Sequence, residues 1–351
     1  MTALTTLAAP VRQGEDASLR PVPWRQMAWV IWRQHRIALG ALALALGALA
    51  AYVWIIGLQL HHAHAAAIAC NPSSPVCPDL ITNFNFMNHV LVGGYTLQLV
   101  PPLIGAFIGA PVLARELETG TFRFAWTQGF ERWRWTLAKV VALAVVVTVA
   151  AGALSLLFSW YYQPYLATGN QSLSLSEESP FSPALFDLRG VSFAAWTLIA
   201  FAIAVLAGML IRRVVPTIIA TMAAYVGLAL VTANLLRQHY LAPLHTTSPN
   251  VPGSAWIFSQ WWTRDGKFAF FGWRDAPHSL LQACAPPGGP FGKGSPGTLA
   301  QCFAQHGYTQ LTSYQPASRF WQFQWIEGAW LLALTVLLVA VTVWLARRRA
   351  V

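Results

Sequence analysis

Six long runs of apolar residues constrain what this chain of 351 residues can fold into. Each run is long enough to cross the hydrocarbon core of a bilayer, which needs roughly 20 helical residues. The runs are continuous, whereas the strands of a membrane β-barrel alternate in character over about 10 residues. The runs cover Ile37–Leu60, Leu91–Leu113, Thr136–Tyr161, Val191–Ile211, Val214–Leu236 and Trp325–Leu345. We therefore predict an all-α polytopic membrane protein with six transmembrane helices.

The composition agrees with a membrane protein. Hydrophobic residues make up 56% of the chain and charged residues 10%, whereas soluble domains have about 25% charged residues. The formal net charge of +10 raises the question of nucleic acid, but the basic residues fall in short patches beside the apolar runs and not on one soluble face. Membrane lipid is therefore an expected partner, and nucleic acid is not.

Basic residues also predict the orientation. They cluster before the first run, between runs two and three, between runs four and five, and after run six. Alternating spans put these segments on one side, which the positive-inside rule makes cytoplasmic. Both termini are thus predicted to be cytoplasmic. The predicted organisation is a cytoplasmic N-terminus over residues 1–36, spans one to five over 37–236, an extracellular loop over 237–324, and span six with a basic cytoplasmic tail over 325–351.

The segment Pro23–Arg36 before the first span is amphipathic. Trp24, Met27, Ile31 and Trp32 recur at helical spacing, and arginines fall mostly elsewhere. This pattern predicts an N-terminal helix lying in the inner interface, with its tryptophans at headgroup depth. Such a helix can serve as a plain anchor or can contact a partner.

The cysteines fall in segments that the topology places outside, where disulfides persist. Cys70 and Cys77 lie between spans one and two, and Cys284 and Cys302 lie between spans five and six. Four cysteines allow three connectivities. We expect the loop-local pairs Cys70–Cys77 and Cys284–Cys302 in preference to pairing between loops. The second pair would stabilise a small cap formed by the long final loop.

A few residues inside the spans have special chemistry. Pro101–Pro102 predicts a kink in span two, because proline breaks helical hydrogen bonding. The spacing Gly105-x-x-x-Gly109 lets another helix approach closely, and we favour packing within the chain over a dimer interface. Glu327 is either an intramembrane functional carboxylate or a solvated one at interfacial depth. Its neighbour Trp325 favours the solvated interpretation.

We find no pattern that indicates catalysis or metal binding. No Ser–His–Asp or H-E-x-x-H constellation can be placed at a common depth. His61, His62 and His64 form a cluster, but no carboxylate accompanies them, and a metal site needs three or four convergent ligands. The chain is predicted to have no catalytic residue, no metal and no cofactor of its own.

The stretch Ala114–Trp135 concentrates charge between two apolar runs. Charge costs about 2.5–3.5 kcal/mol per residue near the bilayer centre, so this stretch is predicted to be cytoplasmic. Aromatic residues recur in it at helical spacing, which predicts a ledge of two short helical pieces separated at Gln128–Gly129. Its charged residues are Arg115, Glu116, Glu118, Arg123, Glu131, Arg132 and Arg134.

Three parts of this stretch resemble the permease subunits of type-two ATP-binding-cassette (ABC) transporters, especially bacterial ones. The matching parts are "ARELETGT", "AWTQG" and the basic "ERWRW". The resemblance implies that the segment between spans two and three is a coupling helix, which contacts an ATPase subunit. The coupling residues that it implies are Arg115, Glu116, Glu118, Gly120, Thr121 and Arg123, with Thr127, Gln128 and Arg132 at the exit of the segment.

The same resemblance implies an assembly and an activity. The chain would pair with a second permease copy or paralogue and with ABC ATPase subunits, which bind ATP and Mg. It would be the permease of an exporter for a lipid-like, peptide or drug-like substrate, in the bacterial cell membrane. The long, cysteine-bearing final loop departs from the commonest family pattern. Two other classes stay open: a membrane sensor or anchor for a cytoplasmic partner, and an intramembrane enzyme.

Overall fold

The computed structural model describes residues 24–70, 73–92, 95–120, 132–168, 179–248, 251, 254–284 and 296–348. Within these ranges, six helical segments are long and apolar enough to cross a membrane. The prediction of an all-α polytopic membrane protein is therefore confirmed.

The helices follow one another in a simple order. The α-helices are α1 (Trp24–Ala69), α2 (Cys77–Val92), α3 (Val100–Thr119), α4 (Arg132–Tyr161), α5 (Gln163–Thr168), α6 (Pro183–Phe186), α7 (Gly190–Ile211), α8 (Val214–Val231), α9 (His278–Cys284), α10 (Pro296–Gln305) and α11 (Phe320–Arg348). Helix α8 continues through a π turn, Thr232–Leu236, and a 3-10 turn, Arg237–His239. The spans are formed by α1, α3, α4, α7, α8 and α11, each with any short turn that extends it.

Alternation of the spans defines two ends of the bundle. One end carries Arg115, Arg212 and Arg347, and we name it the basic end. The other end carries both cysteine pairs and the segment between α8 and α11, and we name it the cap end.

Helix α1 is longer than predicted at both ends. It runs without a break through Arg36, where the interfacial helix was predicted to end, and through Leu60, the predicted end of the span, to Ala69. At 1.5 Å per residue its 46 residues cover roughly 69 Å, about twice the hydrocarbon core. The amphipathic segment is helical as predicted, but it is continuous with the first span.

The start of span two differs from the prediction. Residues from Leu91 were expected to be part of the span, but Cys77–Val92 is a separate helix and Tyr95–Leu99 is a 3-10 turn. Pro101 and Pro102 lie in the first turn of α3. The predicted kink is therefore wrong, because the first turn needs no intrahelical N–H donor and accepts proline there.

The backbones of α3 and α7 approach each other closely, because α3 has glycine at the points of contact. A Cβ atom at Gly105 would lie 2.5 Å from the Ala200 Cβ, and one at Gly109 would lie 2.7 Å from the Ala204 Cβ. Both distances are shorter than van der Waals contact. The glycine pair therefore serves packing within the chain, which confirms the favoured interpretation.

The cap contains a sheet that the all-α prediction did not include. Within the described part of the chain, β1 (Leu244–Thr246), β2 (Trp256–Arg264), β3 (Lys267–Phe271) and β4 (Tyr308–Gln315) form an antiparallel sheet in the order β1-β4-β2-β3. Helices α9 and α10 cover this sheet, and buried aromatic residues lie between the layers. The core residues of the cap are Trp262, Phe270, Ala276, Leu280 and Phe303.

Both expected disulfides are present. Cys70–Cys77 joins the end of α1 to the start of α2. Cys284–Cys302 joins α9 to α10 beside the cap core. The cap therefore has its own small core and its own covalent crosslink.

Packed aromatic side chains join the cap to the bundle. We name this cluster, formed by Phe181, Trp256 and Phe323, the aromatic seam. Phe181 stacks on Trp256 of β2 with ring centroids 5.7 Å apart. Phe181 also meets Phe323 of α11 edge to face at 5.0 Å. Edge-to-face and offset-stacked pairs stabilise beyond the area that they bury. The cap is therefore packed on the bundle and is more than a tethered loop.

We predict that Gly105→Leu destabilises the protein by about 1–3 kcal/mol, the usual cost of overpacking. The added side chain cannot fit beside Ala200 and Phe201. Gly152→Leu in α4 is the matched control, because nothing lies within 4 Å of a Cβ at Gly152. Thermal unfolding in detergent measures both variants. Equal shifts in Tm would contradict the packing that we describe.

Candidate functional site

The carboxylate of Glu116 joins three helices at the basic end. Lys139 of α4, a fully buried lysine, forms an ion pair with it. Gln34 of α1 donates a hydrogen bond from Nε2 to Glu116 Oε1 at 3.0 Å. A buried ammonium group needs such a partner, because burial of an unpaired charge is costly. The last turns of α3 are thus bound to α1 and α4.

Glu118, one half-turn further along α3, reaches a fourth helix. Its Oε2 accepts a hydrogen bond from the backbone N–H of Val214 at 3.2 Å. Val214 is the first residue of α8, where the helix dipole favours a negative charge. Arg212, with φ 62°, ends α7 just before it. The end of α3 is therefore also bound to the turn between α7 and α8.

The last span returns to the same end. The guanidinium carbon of Arg347 in α11 lies 4.4 Å from the ring centroid of Trp133, at the start of α4. Cation–π contacts of this kind hold a basic side chain against an aromatic face. Polar or charged contacts therefore join five helices at the basic end: α1, α3, α4, α8 and α11.

The structure places part of the predicted coupling set. Arg115, Glu116 and Glu118 lie in the last turns of α3 and not in a loop, and Gly120 ends that helix with φ 71°. Arg132 begins α4. Thr121, Arg123, Thr127 and Gln128 lie outside the described residues. Of the ledge predicted over Ala114–Trp135, the start belongs to α3 and the end to α4, and residues 121–131 are not described.

Sequence reasoning missed three partners of this set. Gln34 and Val214 carry no signal that distinguishes them from their neighbours in the sequence. Lys139 does carry one, since it is an isolated lysine inside an apolar run. An isolated charge at that depth needs an opposite charge nearby, and the acidic residues of the preceding segment were the available candidates.

A second polar cluster lies at the cap end, around Glu327 of α11. This residue is fully buried, which corrects the prediction that its carboxylate is solvated. Arg237 donates from Nε to Glu327 Oε2 at 3.0 Å and from Nη2 to Oε1 at 2.9 Å. Trp196 of α7 donates from Nε1 to Oε1 at 2.8 Å, and Tyr240 donates to Oε2 at 3.2 Å. A carboxylate can be buried when both of its oxygens accept hydrogen bonds, as they do here.

Arg237 also binds Asp187, in the segment before α7. Its guanidinium carbon lies 4.2 Å from the ring centroid of Phe186. Burial raises the pKa of the Asp187 carboxyl, and the positive charge of Arg237 opposes that rise. The predicted extracellular loop was drawn from Arg237 onward, but this residue is helical and buried. The cluster ties the segment before α7, the end of span five and α11 together.

The amide of Gln324 adds a link between α11 and the start of α7. Its Oε1 accepts from the Ser192 N–H at 2.9 Å, and its Nε2 donates to the Phe186 carbonyl at 2.9 Å. Gly190, with φ 63°, begins α7 directly beside it. A Cβ there would lie 2.8 Å from Gln324 Oε1. The cap-end contacts are therefore both ionic and closely packed.

Two groups of histidine and cysteine side chains, which are residue types that often bind metals, make other contacts in this structure. His61 stacks on Trp160 with ring centroids 4.6 Å apart, and its Nε2 lies 3.1 Å from the Trp160 carbonyl. Cys284, Cys302 and His306 lie close together. The two cysteines form a disulfide, so they offer no thiolate to a metal.

We predict that Glu327→Ala destabilises the protein by about 3–5 kcal/mol, because Arg237 stays buried while one of its two carboxylate partners is lost. Glu118→Ala is the control, since this exposed carboxylate is expected to cause a clearly smaller loss. The comparison uses thermal unfolding in the same detergent. A loss for Glu327→Ala no larger than that of the control would show that the cluster does not stabilise the fold.

Comparison with known proteins gives one match. The model of a family described as "ABC-2 membrane transporter related" matches residues 43–237. The matched range covers more than half of the chain, from within α1 to Arg237. It includes the glycine contact and the described members of the predicted coupling set. The search of curated proteins found no match, and neither did the search of solved structures.

Proposed function

Because the chain belongs to the ABC-2 membrane transporter related family, we propose that it is the permease subunit of an ATP-driven exporter. ATP and Mg are bound by a separate ABC ATPase subunit, and this chain contributes no catalytic residue. The substrate is lipid-like, a peptide or drug-like. A second permease copy or a paralogue completes the membrane pathway.

The observation that carries this proposal is the set of bonds at the end of α3. Glu116 is bound to Gln34 and Lys139, and Glu118 is bound to Val214. A push on the segment that follows α3 therefore acts at once on α1, α4 and α8. A plain hydrophilic turn would need no such contacts. This arrangement suits a segment that receives movement from a cytoplasmic partner.

The helix contacts favour movement of whole helices. Helix α3 follows α7 closely, because the glycine contact leaves no space for sliding without steric clash. At the cap end, Glu327 and Arg237 hold α11 and the end of span five beside α7. Closure of the ATPases would thus move connected helices as a body, as in other domain-closure transitions.

We place the basic end in the cytoplasm of a bacterial cell, with both termini there. The arginines at this end support the orientation through the positive-inside rule. The disulfides at the cap end support it independently, because disulfides persist outside the cytoplasm. The coupling residues are then Arg115, Glu116, Glu118, Gly120, Thr121, Arg123, Thr127, Gln128 and Arg132.

We expect Glu118→Lys and Arg123→Glu each to weaken binding of the ATPase subunit by about tenfold or more, equivalent to about 1.4 kcal/mol. Reversing a charge at an interface places like charges together. Copurification of the ATPase from detergent-solubilised membranes measures the effect. Arg264→Glu is the matched control, because Arg264 is exposed at the cap end.

ATPase recovery equal to that of Arg264→Glu in both variants would contradict the coupling role. If the unmodified chain binds the ATPase but vesicles that contain both show no ATP-driven substrate release, the chain is instead a membrane sensor or anchor. The two results are distinguishable, since the first is read from binding and the second from transport in vesicles.

A further inference from the structure

An apolar groove runs between α1 and α3. Its volume is about 500 Å³, within the range of small-molecule sites. On α1 it is lined by small side chains, including Ala38, Ala41 and Ala45, and on α3 by Leu103 and Phe107. Helix α1 packs mainly against α4 and has few contacts with α3. The groove is therefore a gap that the chain itself does not fill.

The groove opens toward the membrane. Leu103 is 40% exposed and Phe107 is 57% exposed, and both lie within a span. Folded proteins are otherwise closely packed, so an apolar gap at this depth is filled by something from the bilayer or from another chain. The chemistry of the lining decides between these occupants.

The lining favours an alkyl chain over a helix from a second copy. On α1 the lining runs from His35 to Leu49, a rise of roughly 21 Å at 1.5 Å per residue. The described lining residues are all apolar except His35, which lies at one end. A long apolar surface that ends in a single polar group matches a lipid, which has one polar head and apolar chains.

The basic end of the groove is polar. His35 is the polar side chain among the described lining residues, and its Nε2 is buried without a hydrogen-bond partner in the described part of the chain. Lys139, Arg115 and Glu116 all interact electrostatically with it. Two positive charges against one negative charge leave this end with an excess of positive charge. The end therefore favours a head group that accepts hydrogen bonds and carries negative charge.

We propose that the groove binds one acyl chain of an anionic membrane phospholipid, with the head group beside His35 at the basic end. The alkyl chain replaces the missing contacts between α1 and α3. The phosphate lies beside His35, in the positive field of Arg115 and Lys139. This binding does not depend on transport of the lipid, so it stands separately from the proposed export function.

The test uses the full chain in nanodiscs that contain an anionic phospholipid with a photoreactive diazirine on one acyl chain. After illumination, mass spectrometry locates the labelled peptides. We expect labelling to concentrate on residues 38–49 and 100–111. Ala45→Trp fills the groove and should lower this labelling about tenfold, a ratio that corresponds to about 1.4 kcal/mol. Ala41→Trp is a second groove-filling variant, which guards against misfolding of the first.

Ala48→Trp is the matched control, since Ala48 is exposed on the same helix and does not line the groove. Its labelling should equal that of the unmodified chain. Labelling that is unchanged in both groove variants, or spread evenly over all the spans, would overturn the proposal. In a parallel sample, a photoreactive amino acid at position 45 that crosslinks to a second copy of the chain, and not to lipid, would also overturn it.

A second arm tests the head group. The same diazirine chain on a zwitterionic phospholipid should label the groove less than the anionic lipid does. Arg115→Gln should reduce that preference, because it removes one positive charge from the polar end. Equal labelling by the two lipids would contradict the assignment of an anionic head group.

Discussion

The structure depends on the cost of burying charge in an apolar bundle. Lys139 at the basic end and Glu327 at the cap end are both fully buried, and an isolated ion there would be strongly unfavourable. Each is paired, Lys139 with Glu116 and Glu327 with Arg237. The first pair connects two consecutive spans, and the second connects residues that lie 90 positions apart in the sequence. The requirement to neutralise charge thus fixes which helix ends meet.

The two polar clusters have different consequences because their surroundings differ. The cluster at the basic end lies at the end of α3, where half-buried Glu116 and exposed Glu118 adjoin the charged stretch. The cluster at the cap end lies under an aromatic seam and uses nearly every acceptor position of Glu327. We interpret the cluster at the basic end as the region that contacts a partner. We interpret the cluster at the cap end as the set of bonds that holds α11 against α7 and the end of span five. The close contact between α3 and α7 connects them mechanically.

The fold could be predicted from the sequence to the extent that hydropathy and glycine spacing determine it. Long apolar runs predicted the six spans, and Gly105 and Gly109 predicted a close contact between helices. The sheet in the cap was missed, because its two longest strands, Trp256–Arg264 and Tyr308–Gln315, are far apart in the sequence and pair only in the tertiary structure. Glu327 was misassigned, because nothing local in the sequence shows that Arg237, 90 positions earlier, folds back beside it. Pairing over such a distance is a property of the tertiary structure.

The central claim is that the end of α3 and the segment after it form the docking surface for the ATPase. The most direct measurement replaces Arg115, which is exposed, with a photoreactive amino acid in intact membranes that contain the copurifying ATPase. Lys267, exposed on the cap, is replaced in a parallel sample. The account predicts a crosslink to the ATPase from position 115 and none from position 267. A crosslink from position 267 alone would contradict it.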